Sequence, residues 1–218
     1  MGAMMDARAG LAAAGRRLDR LGFVPATDGN LSLRIGPDRL LVTPSGRPKG
    51  DLGEDDFLVT DLDGRVVEGS GVPSSELPMH LAVYRGRPDV GAVVHAHPPT
   101  ASGFSVAGID LTPPILPEIL LTVGPVPLTS YATPGTGEIP LSIAPFLDRH
   151  DAFLLANHGV LTLGKDLPEA LHRMERVEHL ARVALVARLL GGARELTARE
   201  VASLLATSGA NAPAPRHP

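Results

Sequence analysis

A chain of 218 residues with eight histidines and no cysteine has a restricted set of chemistries open to it. Disulfides, thiolate ligands and cysteine nucleophiles are excluded, so any firmly held metal must rest on imidazole or carboxylate. His95 and His97 stand two apart in Gly91 to His97, a run that reads as a buried strand. Side chains alternate with a period of two, so both rings leave one face, either to chelate one ion or as satisfied polar groups at a strand end. His158 sits in Asn157-His158-Gly159 between two apolar runs, where an irregular turn can aim a ring inward. Three neutral imidazoles leave a position open on a divalent ion, which suits Lewis-acid catalysis better than a closed structural site.

Glu76 follows Pro73-Ser74-Ser75 at the expected start of a helix, with Ser74 or Ser75 as its cap and its end near Arg87. Exposed amides at that start favour an anion beside a carboxylate base, the alternative being a plain capping glutamate. His80, one turn on, reads as support for the site or as a buried helix histidine, not as a metal ligand. The lysines Lys49 and Lys165 stand in unremarkable polar contexts, which argues against Schiff-base chemistry.

The elements that must position these groups follow from pattern and punctuation. Asp6 to Leu21 reads as a helix closed by Gly22. Asn30–Ile35 and Arg39–Val42 form a hairpin about Gly36-Pro37-Asp38, and Phe57 to Val67 forms a second about Asp61-Leu62-Asp63-Gly64. A short helix over Ala101–Ala107, another from near Pro114, and an irregular or edge strand at Val126-Pro127-Leu128 come next. Phe153–Ala156 and Val160–Leu163 are strands hinged at His158. The longest helix opens at the capping sequence Asp166-Leu167-Pro168-Glu169, and Thr197-Ala198-Arg199-Glu200 repeats that logic. One domain over residues 1–207 is expected, with 208–218 a flexible tail.

Composition narrows the partners. Twenty basic and 24 acidic residues are dispersed, with a net charge of -4, so no basic tract tracks a nucleic acid backbone. The apolar stretch from Ala181 to Leu190 is short and interrupted by arginines, so no membrane span is expected and a cytoplasmic location follows.

Thr27-Asp28-Gly29-Asn30-Leu31-Ser32, Thr43-Pro44-Ser45-Gly46, Pro73-Ser74-Ser75-Glu76 with His80, His95-Ala96-His97-Pro98 and Asn157-His158-Gly159 occur in an order that resembles the class II aldolase/adducin family, in particular its fuculose-phosphate aldolase branch. The resemblance runs from the first helix to about Leu190. It implies a three-layer α/β/α domain around a mostly antiparallel sheet, assembled as a homotetramer with active sites between subunits. It also implies zinc, or another divalent metal, on His95, His97 and His158, with Glu76 as acid/base. Gly29, Asn30, Ser45, Gly46, Ser74 and Ser75 would surround the phosphate of a phosphorylated sugar.

By that resemblance the expected reaction is reversible cleavage of a ketose 1-phosphate to dihydroxyacetone phosphate and an aldehyde. The alternatives are a sugar-phosphate 4-epimerase, a decarboxylase and a methylthioribulose-phosphate dehydratase. No tyrosine follows Tyr131, which weakens the epimerase and departs from the aldolase pattern. Glu118, in the manner of the dehydratases, and Tyr131 are therefore the further catalytic candidates. A non-catalytic adducin-like interaction domain fits poorly with a complete histidine set and Glu76.

Overall fold

The computed structural model describes residues 2–207; the expected tail at 208–218 lies outside them. Seven strands form one sheet: β1 (Asn30–Gly36), β2 (Arg39–Val42), β3 (Leu58–Thr60), β4 (Val66–Glu68), β5 (Ala92–Ala96), β6 (Ala152–Leu155) and β7 (Gly159–Gly164). Their order is β4-β3-β2-β1-β5-β7-β6, and every pairing between them is antiparallel. The edge beyond β6 is covered by the irregular Val126-Pro127-Leu128 segment, which bridges it at Leu154 without forming a strand: the Pro127 carbonyl, which can accept although proline cannot donate, takes the Leu154 N–H, and Thr129 N–H returns to Leu154.

Helices cover both faces, giving the α/β/α layering. One apolar cluster packs α1 (Gly2–Arg20), α3 (Pro99–Val106), α4 (Pro117–Thr122) and α6 (Leu167–Leu189) on one side. The other joins α2 (Leu77–Gly86) and α5 (Glu138–Ile143) to the opposite side. A last helix, α7 (Ala198–Thr207), has no buried residue. Among the described residues no helix is long and apolar enough to cross a membrane.

Several boundaries moved for identifiable reasons. The first helix begins at Gly2, a turn before the expected Asp6, and its chain reverses at Gly22, whose φ is +71°. The fourth starts at Pro117, not near Pro114, with proline in the first turn where no N–H is required. Helix α5 had no clear signal because Pro140 stands inside it, yet that position too falls in the first turn, and Ile139 and Ile143 are buried. Asp166 and Thr197 do cap their helices: the Asp166 carboxylate accepts from Glu169 N–H, and Thr197 and Glu200 exchange reciprocal bonds.

Candidate active site

Strand β5 lies at the middle of the sheet between β1 and β7, and His95, fully buried, faces the α2 side with Val93. The strand ends at Ala96. His97 lies just beyond, its N–H donating to the Phe23 carbonyl at 2.7 Å before Pro98 turns the chain. His158 is held in the β6–β7 connection, where Asn157 takes a left-handed φ of +56° and His158 N–H closes the turn onto Leu155. Gly159 makes this possible, because a Cβ there would lie 2.5 Å from the His97 ring and 2.6 Å from the Ala96 carbonyl. On the other side, Gly29 has φ +73° and brings its backbone against Val24 and the His95 carbonyl, where a Cβ would stand at 2.6 and 2.9 Å.

The three rings meet edge to face with centroids 4.7–5.0 Å apart, and one ligand atom from each lies within 4.8 Å of the others. Their proton positions follow from what the far nitrogens touch. His95 Nδ1 donates to the Val160 carbonyl at 2.9 Å, and His97 Nδ1 donates to Asp28 Oδ2 at 3.2 Å. Each neutral ring therefore turns a lone pair outward from Nε2, and those two Nε2 atoms stand 3.1 Å apart. Two lone pairs facing each other call for a cation between them, so the donor set fits a divalent metal. Burial, then the neighbouring His95, pushes His158 down to about 4, and the same causes lower His97 against the pull of Asp28 and Glu76. Neutral rings at neutral pH are the state that binds metal.

Glu76 closes the cluster. Its Oε2 lies 3.2 Å from His95 Nε2 and its Oε1 3.2 Å from His158 Nε2. Burial works to raise its carboxyl, but His95, His158 and a 2.8 Å hydrogen bond from Asn30 outweigh burial and hold it far below the usual carboxylate range. Oε2 accepts that bond, whereas the buried Oε1 has no hydrogen-bond partner among the described residues.

The expected helix cap is a correction. Helix α2 starts at Leu77 with Glu76 itself at the capping position and no cap bond from its side chain; Ser74 Oγ accepts the Glu76 N–H at 3.3 Å just ahead of the helix, so neither Ser74 nor Ser75 stands at the cap. Both serines instead line an open cavity of about 350 Å³ with Gly29, Asn30, Ser45, Gly46, Glu76, His97 and His158. Its loops are stitched together. Ser45 N–H donates to Val72, and Pro44 bridges Pro73. Lys49 Nζ donates to the Thr27 and Arg47 carbonyls at 2.8 and 2.7 Å. Lys49 is thus not in the unremarkable setting its sequence neighbours suggest. It is 2% exposed, and burial lowers its pKa against the opposing pull of Asp28. Glu118 is exposed on α4 and Tyr131 is 63% exposed, and neither lines this cavity. Asp28, Ser32, Lys49 and Tyr84 carry contacts that sequence reading did not assign, since each depends on a partner distant in the chain.

Residues 9–185 match the Class II Aldolase and Adducin N-terminal domain family. The chain belongs to the class II aldolase family. Members of this family are metal-dependent lyases, and this chain is an enzyme of that kind. It is 34% identical over 204 residues to the 3-oxo-tetronate 4-phosphate decarboxylase of Pectobacterium atrosepticum, spanning 91% of this chain and 92% of that protein. It is 37% identical over 182 residues to the methylthioribulose-1-phosphate dehydratase of Methylococcus capsulatus, spanning 77% and 87% respectively. A solved L-fuculose 1-phosphate aldolase superposes with a TM-score of 0.86 at 32% identity, covering 93% of this chain and 96% of that one.

Proposed function

We propose that this enzyme breaks a carbon–carbon bond in a phosphorylated 3-oxo sugar acid or ketose and releases dihydroxyacetone phosphate. The observation that carries this reading is the Oε1 of Glu76, which accepts no hydrogen bond among the described residues and faces three converging imidazoles, at the mouth of a cradle of small polar residues. Gly29, Asn30, Ser45, Gly46, Ser74 and Ser75 hold the phosphate through amides and hydroxyls, with the Lys49 ammonium beneath them. Zinc held by His95, His97 and His158 would supply positive charge against the oxygen on which negative charge develops. Glu76 carries the proton at the adjacent carbon.

Decarboxylation is the first reading. In a 3-oxo-tetronate 4-phosphate the electrons of the bond to the carboxylate flow toward the ketone, carbon dioxide leaves, and the resulting enolate carbon takes one proton from a water molecule that the ionised Glu76 orients, leaving hydroxide to solvent. One proton delivery suffices, and the similarity to a decarboxylase spans nearly the whole chain. Aldol cleavage is the second reading, favoured by the likeness to the fuculose-phosphate aldolase structure. It also needs a group to take the hydroxyl proton of the departing aldehyde. Tyr131 and Glu118, outside the cavity of their own chain, would serve only from a neighbouring copy, so a homotetramer with sites between subunits belongs to that reading.

Incubating metal-loaded enzyme with 3-oxo-tetronate 4-phosphate, ketose 1-phosphates and methylthioribulose 1-phosphate separates these outcomes. Dihydroxyacetone phosphate with carbon dioxide supports the first reading, and dihydroxyacetone phosphate with an aldehyde the second. Loss of water from methylthioribulose 1-phosphate, with no dihydroxyacetone phosphate from any substrate, overturns both.

A further inference from the structure

Behind Glu76 an unbroken line of polar side chains runs between the sheet and α2. Asn30 Nδ2 donates to Glu76 Oε2 at 2.8 Å, His80 Nε2 meets Asn30 Oδ1 at 2.6 Å, Ser32 Oγ meets His80 Nδ1 at 2.6 Å, and Tyr84 OH meets Ser32 Oγ at 2.9 Å. Asn30, Ser32, His80 and Tyr84 are each at most 3% exposed, so solvent does not supply partners. The direction of every bond follows from the first. An ionised carboxylate only accepts, so Asn30 presents its amide hydrogens to Glu76 and its oxygen to His80. His80 must then be protonated on Nε2. Its Nδ1 accepts from the Ser32 hydroxyl, whose oxygen in turn accepts from Tyr84. Burial agrees, holding His80 neutral and Tyr84 protonated.

We propose that His80, backed by Ser32 and Tyr84, is a positioning residue for Glu76: it locks the Asn30 amide on Oε2 and leaves Oε1 as the oxygen that exchanges protons with substrate. When a substrate C–H bond breaks, its electron pair stays on the substrate and an O–H bond forms at Oε1; the return step reverses both. Oε2 stays an acceptor throughout, so the carboxylate need not rotate between uptake and return. This inference rests on Glu76 being the proton carrier.

The decisive measurement is independent of turnover. Long-range proton–nitrogen spectra of the ¹⁵N-labelled wild-type protein, with and without zinc, should show His80 as the neutral Nε2–H tautomer in both. An Nδ1–H or doubly protonated ring overturns the inference. For His80→Leu, we expect kcat to fall about 10–100-fold with KM and zinc content unchanged. His80→Gln, which can place an N–H near the former Nε2, should recover most of that loss. Equal losses in both variants overturn the positioning role. Tyr84→Phe removes only the far hydroxyl and should lower kcat less, with zinc content unchanged; a KM change without a kcat change opposes the inference. Exchange of dihydroxyacetone phosphate hydrogens in Glu76→Gln separates the two levels. Retained exchange defeats the reading of Glu76 itself, whereas lost exchange with an Nδ1–H His80 in the wild type defeats only the positioning line.

Discussion

On one face of the central strands β1 and β5, Leu31, Leu33, Ala92, Val94 and Ala96 pack into the cluster beneath α1 and α6. On the other face Asn30, Ser32 and His95 join Val93, turned toward His80 and Tyr84 of α2. The same extended backbone thus alternates between dispersion contacts and a closed set of directed hydrogen bonds. The lesson is a division of labour. Apolar burial on the first face can hold the sheet rigid without constraining which chemistry stands on the second. The register Asn30↔His95 and Ser32↔Val93 then sets the polar groups of β1 beside the first imidazole.

The largest effect that would separate the two faces is expected from Glu76→Gln. It keeps size and the hydrogen bond from Asn30 but removes the proton carrier, so turnover should fall by about 10²–10⁴-fold. Metal content by elemental analysis and thermal stability should stay near wild type. Loss of metal instead of turnover would make Glu76 chiefly a ligand. The mirror-image change is Leu11→Ala in α1, a fully buried side chain of the first face. Denaturant unfolding should show a loss of about 2–5 kcal/mol. Turnover per folded molecule should not change, and a coupled loss of metal affinity would break the proposed separation.

A smaller effect tests the support of the metal cluster itself. Asp28 accepts from His97 Nδ1 and thereby keeps the Nε2 lone pair turned toward its neighbours. Asp28→Asn should lower zinc affinity by about 10–100-fold in competition with a chelator while the fold stays intact. An unchanged affinity would mean that His97 is oriented by the Gly159 turn alone.

Legibility from sequence follows the same division. The paired histidines were visible because alternation is local, and His158 because an Asn-His-Gly turn between apolar runs is local too. The three layers and the mostly antiparallel sheet followed from the family resemblance, and the hairpins from their turns, whereas the strand order came only with the fold. What stayed hidden were contacts between residues remote in the chain: Ser32 with His80 is a pairing across 48 positions, and Lys49 reaches Thr27 across 22. Ser74 and Ser75 misled in the opposite sense. A Ser-Ser-Glu run before an apolar stretch carries a strong capping signal, but the chain enters α2 one residue later, and the serines face a cavity that only the folded loops create.

The smallest effect concerns acid, and it isolates one residue of the polar face. Burial pushes His80 from its ordinary 6.5 down to about 3, with the charge of His95 adding to the fall and Glu76 opposing it. The unfolded chain therefore takes up a proton at His80 below about pH 6.5, whereas the folded protein does so only near 3. Between those values the unfolded state binds more protons, so His80's contribution to stability is complete above 6.5 and drains away as pH falls. One proton corresponds to a slope of at most about 1.4 kcal/mol per pH unit. His158, near 4 in the folded metal-free protein, and His97, which burial also lowers, add slopes of the same sign, and Glu76 adds its own only as pH falls through the carboxylate range. Comparing metal-free wild type with His80→Gln by denaturant unfolding between pH 6.5 and 5 cancels all three. The variant should have the shallower dependence by up to one proton, while Leu11→Ala, weakened on the apolar face, should run parallel to wild type. Parallel lines for wild type and His80→Gln would mean that His80 is charged in the fold, and the directed line of hydrogen bonds from Tyr84 to Glu76 would lose its central member.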